Sequence, residues 1–128
     1  MSFNENNLSD EGSKNTVLNF DLLNNIGGND PCFLKDMLST YSKTLNQTIE
    51  LIECNYKKNN LTTIADAAHK MGPSCHSIGA EKLYNLFKDL EYNCRKNESH
   101  FQLETEVKTI FKEAKHILQE VDSKIESL

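Results

Sequence analysis

The sequence is poor in residues that interrupt helices, and it lacks the patterns that mark other fold classes. Its 128 residues include only two prolines and five glycines. No segment alternates apolar and polar residues as a half-buried strand does. No run of about 18 apolar residues is present either, so we expect no membrane-spanning helix. Residues 1–15 are predominantly polar and lack the apolar core of a signal peptide. These absences predict an all-α protein that remains in the cytoplasm.

The cysteines are few and isolated from one another. Cys32, Cys54, Cys75 and Cys94 form no C-x-x-C pair. They are too scattered for a zinc site and too few for the disulfide framework of a secreted domain of this size. Cys75 and Cys94 fall on apolar stripes. The cysteines are therefore interpreted as small buried hydrophobic residues in a reducing cytosol.

Positive charge is also scarce. The formal net charge is −5, which argues against nucleic acid and against an anionic membrane surface as partners. The chain has no internal repeat, no low-complexity segment and no sign of a second domain. We expect a flexible arm over residues 1–15 and a single domain over residues 16–128.

What the chain does contain is a series of helix signals. A short helix is predicted over residues 20–26 and is closed by Gly27 and Gly28. Asp30 is placed to cap the next helix, and Pro31 suits its first position. Ser99 and Gln102 match a capping box before the last helix. Four longer apolar stripes follow the 3/4 spacing of a helix: Leu34, Leu38, Tyr41, Leu45, Thr48 and Ile52; Leu61, Ile64, Ala68, Met71, Cys75 and Ile78; Ala80, Leu83, Phe87, Leu90 and Cys94; and Leu103, Val107, Ile110, Ala114, Ile117, Val121, Ile125 and Leu128.

Four amphipathic helices joined by short turns are typical of an antiparallel bundle, because short turns place consecutive helices side by side. The predicted fold is therefore an up-down-up-down four-helix bundle. The helix over residues 20–26 is too short to join the bundle and is expected to pack across one end. All four stripes are needed inside one bundle, which favours a monomer.

A histidine stands out on the helix that carries the second stripe. With about 100° of rotation per residue, His69 points roughly 130° away from the middle of its apolar arc. It should therefore face solvent from the middle of a helix. His76 is expected on the same face, about 10 Å further along the helix. An exposed imidazole is a nucleophile near neutral pH, because its neutral form is well populated.

The residues that follow His69 are small. Gly72 and Pro73 are expected on or near the exposed side, although a proline inside a helix costs roughly 3 kcal/mol or more. Keeping a docking surface low and open around His69 would explain this choice. Lys70 and Lys82 are candidates for positive charge beside the histidine.

The segment AAHKMGPSCHSIGAEKLYNLFKDLE, residues 67–91, resembles the signature of histidine-containing phosphotransfer (HPt) domains. The matching positions are Ala68-His69, Met71, Ile78-Gly79-Ala80, Leu83 and Leu90-Glu91. The segment LNFDLLNNIGGNDPCFLKDML resembles the family's short first helix and cap. The resemblance extends over about residues 17–128.

The resemblance implies a bundle that carries phosphate between receiver-domain aspartates in two-component signal transduction. His69 would be the phosphoacceptor, and the partners would be response-regulator receiver domains or a hybrid histidine kinase. The chain would have no ATP site or cofactor of its own, and Mg²⁺ would belong to the receiver's acidic site. Gly72 and Pro73 stand where the family often has Lys-Gly, so Lys70 or a protonated His76 would have to replace that lysine.

Other interpretations remain open or are disfavoured. A module that binds receivers without carrying phosphate is the alternative function. The initial Met1 and the polar arm favour a separate protein over a piece of a hybrid kinase. Asp66-x-x-His69 and Glu113-x-x-His116 echo the pairs of di-iron bundles, but those ligands must point inward. Asp66, His69 and His116 are predicted to point outward, so no metal site is expected.

Overall fold

The described part of the chain folds into four helices. The computed structural model describes residues 25, 28, 30–96 and 100–128. The helices are α1 (Pro31–Lys57), α2 (Leu61–Ser77), α3 (Glu81–Arg95) and α4 (His100–Ser127). No strand occurs among these described residues. The all-α class is therefore confirmed.

Two sequence predictions near the helix ends fall largely on residues outside this part. The helix predicted over residues 20–26 lies outside it except for Asn25, which is helical. The capping box depends on Ser99 and on the side chain of Gln102, and neither is described. Both predictions stay predictions.

Local chemistry accounts for where α1 begins and where α2 ends. Asp30 caps α1, because its carboxylate accepts hydrogen bonds from the backbone amides of Cys32 and Phe33, at 3.0 and 3.4 Å. Pro31 occupies the first turn, where its missing amide is not needed. The cap predicted at Asp30 is thus confirmed. Just after the C-terminal end of α2, Gly79 has a φ of +81°, a left-handed conformation that favours glycine and turns the chain towards α3.

The helices enclose one core. α1 packs against α2 and α4, and α3 packs against the same two helices, so each helix has two neighbours. Nearly all residues of the predicted stripes are buried; the exceptions are Thr48, Leu61 and Ile125, which are partly buried, and Leu128, which is exposed. Ala65 and Gly72 are buried in addition. This core fixes the rotation of each helix and hence the direction of every outer side chain.

The cysteines divide into two pairs. Cys75 and Cys94 are buried as predicted, whereas Cys32 and Cys54 are exposed and the prediction that they are buried is wrong. Both exposed residues lie off the apolar stripe of α1. Burial raises the pKa of the Cys75 thiol to about 11, against the smaller lowering effect of its hydrogen bond with Tyr41. Cys75 is thus a protonated core residue at neutral pH.

Candidate functional site

His69 projects from the middle of α2 into solvent. Its side chain is 70% exposed, while its neighbours Ala68 and Met71 are buried in the core. Because successive residues of a helix turn by about 100°, burying these neighbours directs the imidazole outwards. The prediction that His69 faces solvent is confirmed. The backbone of His69 belongs to a helix whose inner side is packed in the core, so the position of its Cα atom is fixed.

A carboxylate on α3 holds one nitrogen of the ring. Nδ1 of His69 lies 3.2 Å from Oε1 of Glu91, whose side chain is only 23% exposed. An ionised carboxylate accepts hydrogen bonds and cannot donate them. Nδ1 therefore carries the proton of the neutral ring, and the lone pair lies on Nε2. No hydrogen bond joins Nε2 to any residue in the described part of the chain. Nε2 is therefore the ring nitrogen that is free to react on a largely exposed side chain.

Glu91 is itself held by a second pair of residues. Its other oxygen, Oε2, lies 3.0 Å from Nε of Arg95, and Nη2 of Arg95 lies 3.2 Å from Oδ1 of Asp66. Asp66 is on α2, one turn before His69. Burial raises the pKa of the Glu91 carboxyl, but the hydrogen bonds from Arg95 and His69 outweigh it and lower that pKa. Glu91 is therefore a carboxylate at neutral pH.

Tyr84 of α3 organises the surface on the other side of His69. Its ring lies over Gly72, where an added Cβ atom would meet the Tyr84 carbons at 3.6 and 3.7 Å. The same ring packs against His76 with 5.1 Å between centroids, and Nδ1 of His76 lies 2.8 Å from Glu81. The Lys88 ammonium lies 5.2 Å from the centre of the Tyr84 ring, a cation–π contact.

These contacts form one line along the boundary between α2 and α3. As residue numbers rise along α2 they fall along α3, so the two helices run in opposite directions. We call the line the α2–α3 seam; it comprises Asp66, His69, Gly72 and His76 of α2 with Glu81, Tyr84, Lys88, Glu91 and Arg95 of α3. His69 is thus the only histidine of the seam whose Nδ1 partner also binds an arginine.

The structure brings some of the predicted site residues together and separates others. Pro73 is exposed one turn beyond His69, and α2 continues through it to Ser77. His76 is on the seam but is held by Glu81. Lys70 is exposed and lines the groove between α1 and α2 instead. Lys82 lies about 13 Å along α3 from Glu91 and its ammonium is 3.7 Å from Glu113 of α4, so it is not brought to His69.

Gly72 differs from its prediction. The helical wheel places it on or near the exposed side, and this is wrong, because Gly72 is buried. The reason is Tyr84, which covers the glycine from the neighbouring helix. No side chain projects from α2 at Gly72, and the ring of Tyr84 from α3 covers the α2 backbone at this position.

Replacing Gly72 by alanine is expected to raise the free energy of unfolding by about 0.5–1 kcal/mol, because glycine inside a helix is unfavourable by that amount. A Cβ at 3.6 Å from Tyr84 is in ordinary van der Waals contact, so alanine fits. Urea unfolding measures the change. Gly79→Ala is the matched control and is expected to destabilise, since φ there is +81°. A Gly72→Ala variant less stable than the parent would contradict the description of this contact.

Five residues of the seam on α3 were not singled out from the sequence as site residues: Glu81, Tyr84, Lys88, Glu91 and Arg95. The sequence nevertheless contains a signal for them. Each follows one of the buried residues Ala80, Leu83, Phe87, Leu90 and Cys94 by one position, so they form a second stripe beside the core stripe of α3. Asp66 and His69 border the core stripe of α2 in the same way. Two such bordering stripes on neighbouring helices are expected to meet.

The described residues do not assemble other common kinds of site. Within residues 30–96 and 100–128, no group of three or more histidine, cysteine or acidic side chains could hold a metal ion. His116 and Glu113 approach each other at 4.0 Å, but His116 is half exposed and no further ligand joins them. Over the same residues, no helix combines the length and apolar character that crossing a membrane requires.

The fold is that of an HPt domain. The chain is similar to the crystal structure of the HPt domain from the Hpt sensor hybrid histidine kinase of Shewanella, with a TM-score of 0.75 and 20% sequence identity. The match covers 88% of this chain and 96% of that one. No protein-family model matches the sequence, and no curated protein matches it either. At this identity the likeness shows the fold alone.

Proposed function

We propose that the chain is a phosphorelay carrier, which accepts a phosphoryl group on Nε2 of His69 from a receiver-domain aspartate and passes it to another receiver. The observation that carries this proposal is the exposed imidazole whose Nδ1 is bound by Glu91 at 3.2 Å, which leaves Nε2 as an outward nucleophile. The HPt fold supports it, since the Shewanella neighbour is an HPt domain of a sensor hybrid histidine kinase.

The geometry suits an in-line transfer. The lone pair of Nε2 attacks the phosphorus of the receiver's aspartyl phosphate. The P–N bond forms as the P–O bond to the aspartate breaks, and the aspartate leaves as a carboxylate. The ring becomes a cation that keeps its proton on Nδ1. That positive charge develops 3.2 Å from the Glu91 carboxylate, which stabilises it. Return of the phosphoryl group to another receiver is the reverse of this step.

Cations near the acceptor nitrogen would offset the charge of the phosphoryl group. Lys70 follows His69 on α2 and lines the groove between α1 and α2, whereas Lys88 precedes Glu91 by one turn on α3 with its ammonium 5.2 Å from the centre of the Tyr84 ring. In the proposed role the chain needs no ATP site of its own and depends on the partner receiver, whose acidic pocket would hold Mg²⁺. In this role the protein is a phosphocarrier and does not act as an enzyme by itself.

The docking surface is proposed along α1 and α2, with the short helix over residues 20–26 at its edge. An open groove between these helices is lined by residues such as Phe33, Met37 and Tyr41, and Phe33 is exposed. The carrier would be a cytoplasmic monomer: an up-down-up-down bundle over residues 16–128, the short helix across one end and an arm over residues 1–15. The paired contacts of α2 with α3 support this arrangement.

The proposal is tested by mixing the protein with receiver domains of its own organism that have been charged with acetyl phosphate and radiolabelled. We expect an acid-labile, base-stable phosphoryl group to move to this protein. If no receiver and no hybrid kinase of that organism transfers phosphate, the proposal is wrong. Binding of a receiver without transfer, unchanged by His69→Gln, would indicate the adaptor function instead.

A further inference from the structure

Arg95 has two partners on the seam, and His69 is not one of them. Its Nε donates to Oε2 of Glu91 at 3.0 Å, and its Nη2 donates to Oδ1 of Asp66 at 3.2 Å. The Glu91 oxygen that remains, Oε1, is the one at His69. The four side chains therefore form a chain of hydrogen bonds in the order Asp66, Arg95, Glu91, His69. Its two ends are on α2 and its two middle members are on α3.

We infer that Arg95 is a positioning residue that sets the reactive tautomer and orientation of His69 through Glu91. The inference rests on the proposed function and adds a residue to its site. A glutamate side chain without a partner rotates freely, and either oxygen could then face the imidazole or the solvent. The planar guanidinium is a rigid donor. By binding Oε2 it leaves Oε1 directed at Nδ1, and Asp66 fixes the guanidinium from the helix that carries His69.

The positive charge of Arg95 also favours the reactive neutral form of the His69 ring. A carboxylate beside an imidazole favours the doubly protonated ring, which has no lone pair on Nε2 and cannot accept phosphate. A guanidinium bound to that carboxylate offsets part of its field. The charged side chains around His69 are Asp66 and Lys70 on α2 with Lys88, Glu91 and Arg95 on α3. The α1 side of the adjoining groove is uncharged: Thr44, Gln47, Thr48 and Leu51.

The experiment compares Arg95→Gln with Lys96→Gln. Both changes remove one positive charge from neighbouring positions, but the Lys96 ammonium lies over the ring of Tyr92, at 5.3 Å, and does not touch the seam partners of His69. We expect transfer to fall about fivefold in Arg95→Gln, the upper end of what an exposed ion pair contributes. Lys96→Gln is expected to change it less than about twofold. Arg95→Lys keeps the positive charge and loses the planar guanidinium, so its transfer rate is expected to lie between those of Arg95→Gln and Lys96→Gln.

A double-mutant cycle separates positioning from direct contact. If Arg95 acts through Glu91, Arg95→Gln has no further effect once Glu91 is alanine. If the same fivefold fall persists in the Glu91→Ala background, Arg95 acts on the phosphoryl group or the receiver directly, and the inference is wrong.

A second readout requires no phosphotransfer, so it fails or succeeds independently of the proposed function. Long-range ¹H–¹⁵N NMR of the unphosphorylated protein reports which ring nitrogen of His69 carries the proton. In Arg95→Gln we expect a smaller fraction of His69 rings with the proton on Nδ1 and the lone pair on Nε2. Identical tautomer populations in the parent and the variant would overturn the inference.

Discussion

Replacing His69 by glutamine is expected to abolish phosphotransfer, with a fall of at least about 10³-fold to the background of the assay. Glutamine has a similar length and polarity, but its amide nitrogen has no available lone pair to attack phosphorus. The other histidine of the α2–α3 seam, His76, is not expected to replace it, because its ring packs on Tyr84 at 5.1 Å between centroids and lies two turns further along α2. The measurement is the rate of transfer from a charged receiver to the purified variant.

The fold should survive this substitution. His69 is 70% exposed and contributes little buried surface, so the free energy of unfolding is expected to change by no more than about 0.5 kcal/mol. His76→Gln is the matched control, with the same chemical change on the same helix at a side chain that is 64% exposed. It should retain most of the transfer activity. Transfer that survives His69→Gln, or that is lost equally in His76→Gln, would contradict the assignment of the acceptor.

Replacing Glu91 by alanine is expected to slow transfer by about 10- to 100-fold. Hydrogen bonds to charged groups contribute about 1.5–3 kcal/mol, and each 1.36 kcal/mol of transition-state stabilisation is tenfold in rate. The loss has two parts: the ring no longer holds its proton on Nδ1, and the cation formed during transfer loses its carboxylate. Single-turnover kinetics with excess charged receiver measures the effect on the chemical step.

Glu91→Gln separates these two parts. The amide oxygen still accepts a hydrogen bond from Nδ1, but the charge is gone, so transfer is expected to fall by a smaller factor, about 3- to 10-fold. Glu104→Ala is a suitable control, since Glu104 lies on the surface of α4 in a pair with Lys108. Equal rates for the parent, Glu91→Ala and Glu91→Gln would show that Glu91 has no role in transfer.

The helical wheel of a single chain segment predicts directions relative to that segment's own core. It was sufficient for His69, which lies far from the apolar arc of α2 and faces solvent. It was insufficient for Gly72, which borders the arc. Whether a bordering residue is covered depends on the neighbouring helix, and here Tyr84 of α3 lies across it. The rotation of α3 against α2 is a property of the whole core, which local spacing does not specify.

The same limit explains why Glu91 and Arg95 were not assigned roles from the sequence. Glu91 and His69 lie on different helices. Their contact depends on how α2 and α3 are aligned lengthwise and on how each helix is rotated about its axis. The sequence contained a partial signal, because both residues belong to the stripe that borders the core of α3. Lys82 was predicted as a cation beside His69 because it is close to His69 in sequence. In the fold, its ammonium is instead near Glu113 of α4, at 3.7 Å.

The central claim is that Nε2 of His69 receives the phosphoryl group while Glu91 retains the proton on Nδ1. The most direct measurement is long-range ¹H–¹⁵N NMR of ¹⁵N-labelled protein after phosphorylation by a charged receiver. The account predicts that the spectrum of His69 changes to that of a ring phosphorylated on Nε2, with the signals of His76 and His116 unaltered. Phosphate on Nδ1 of His69, or on any other side chain, would contradict it.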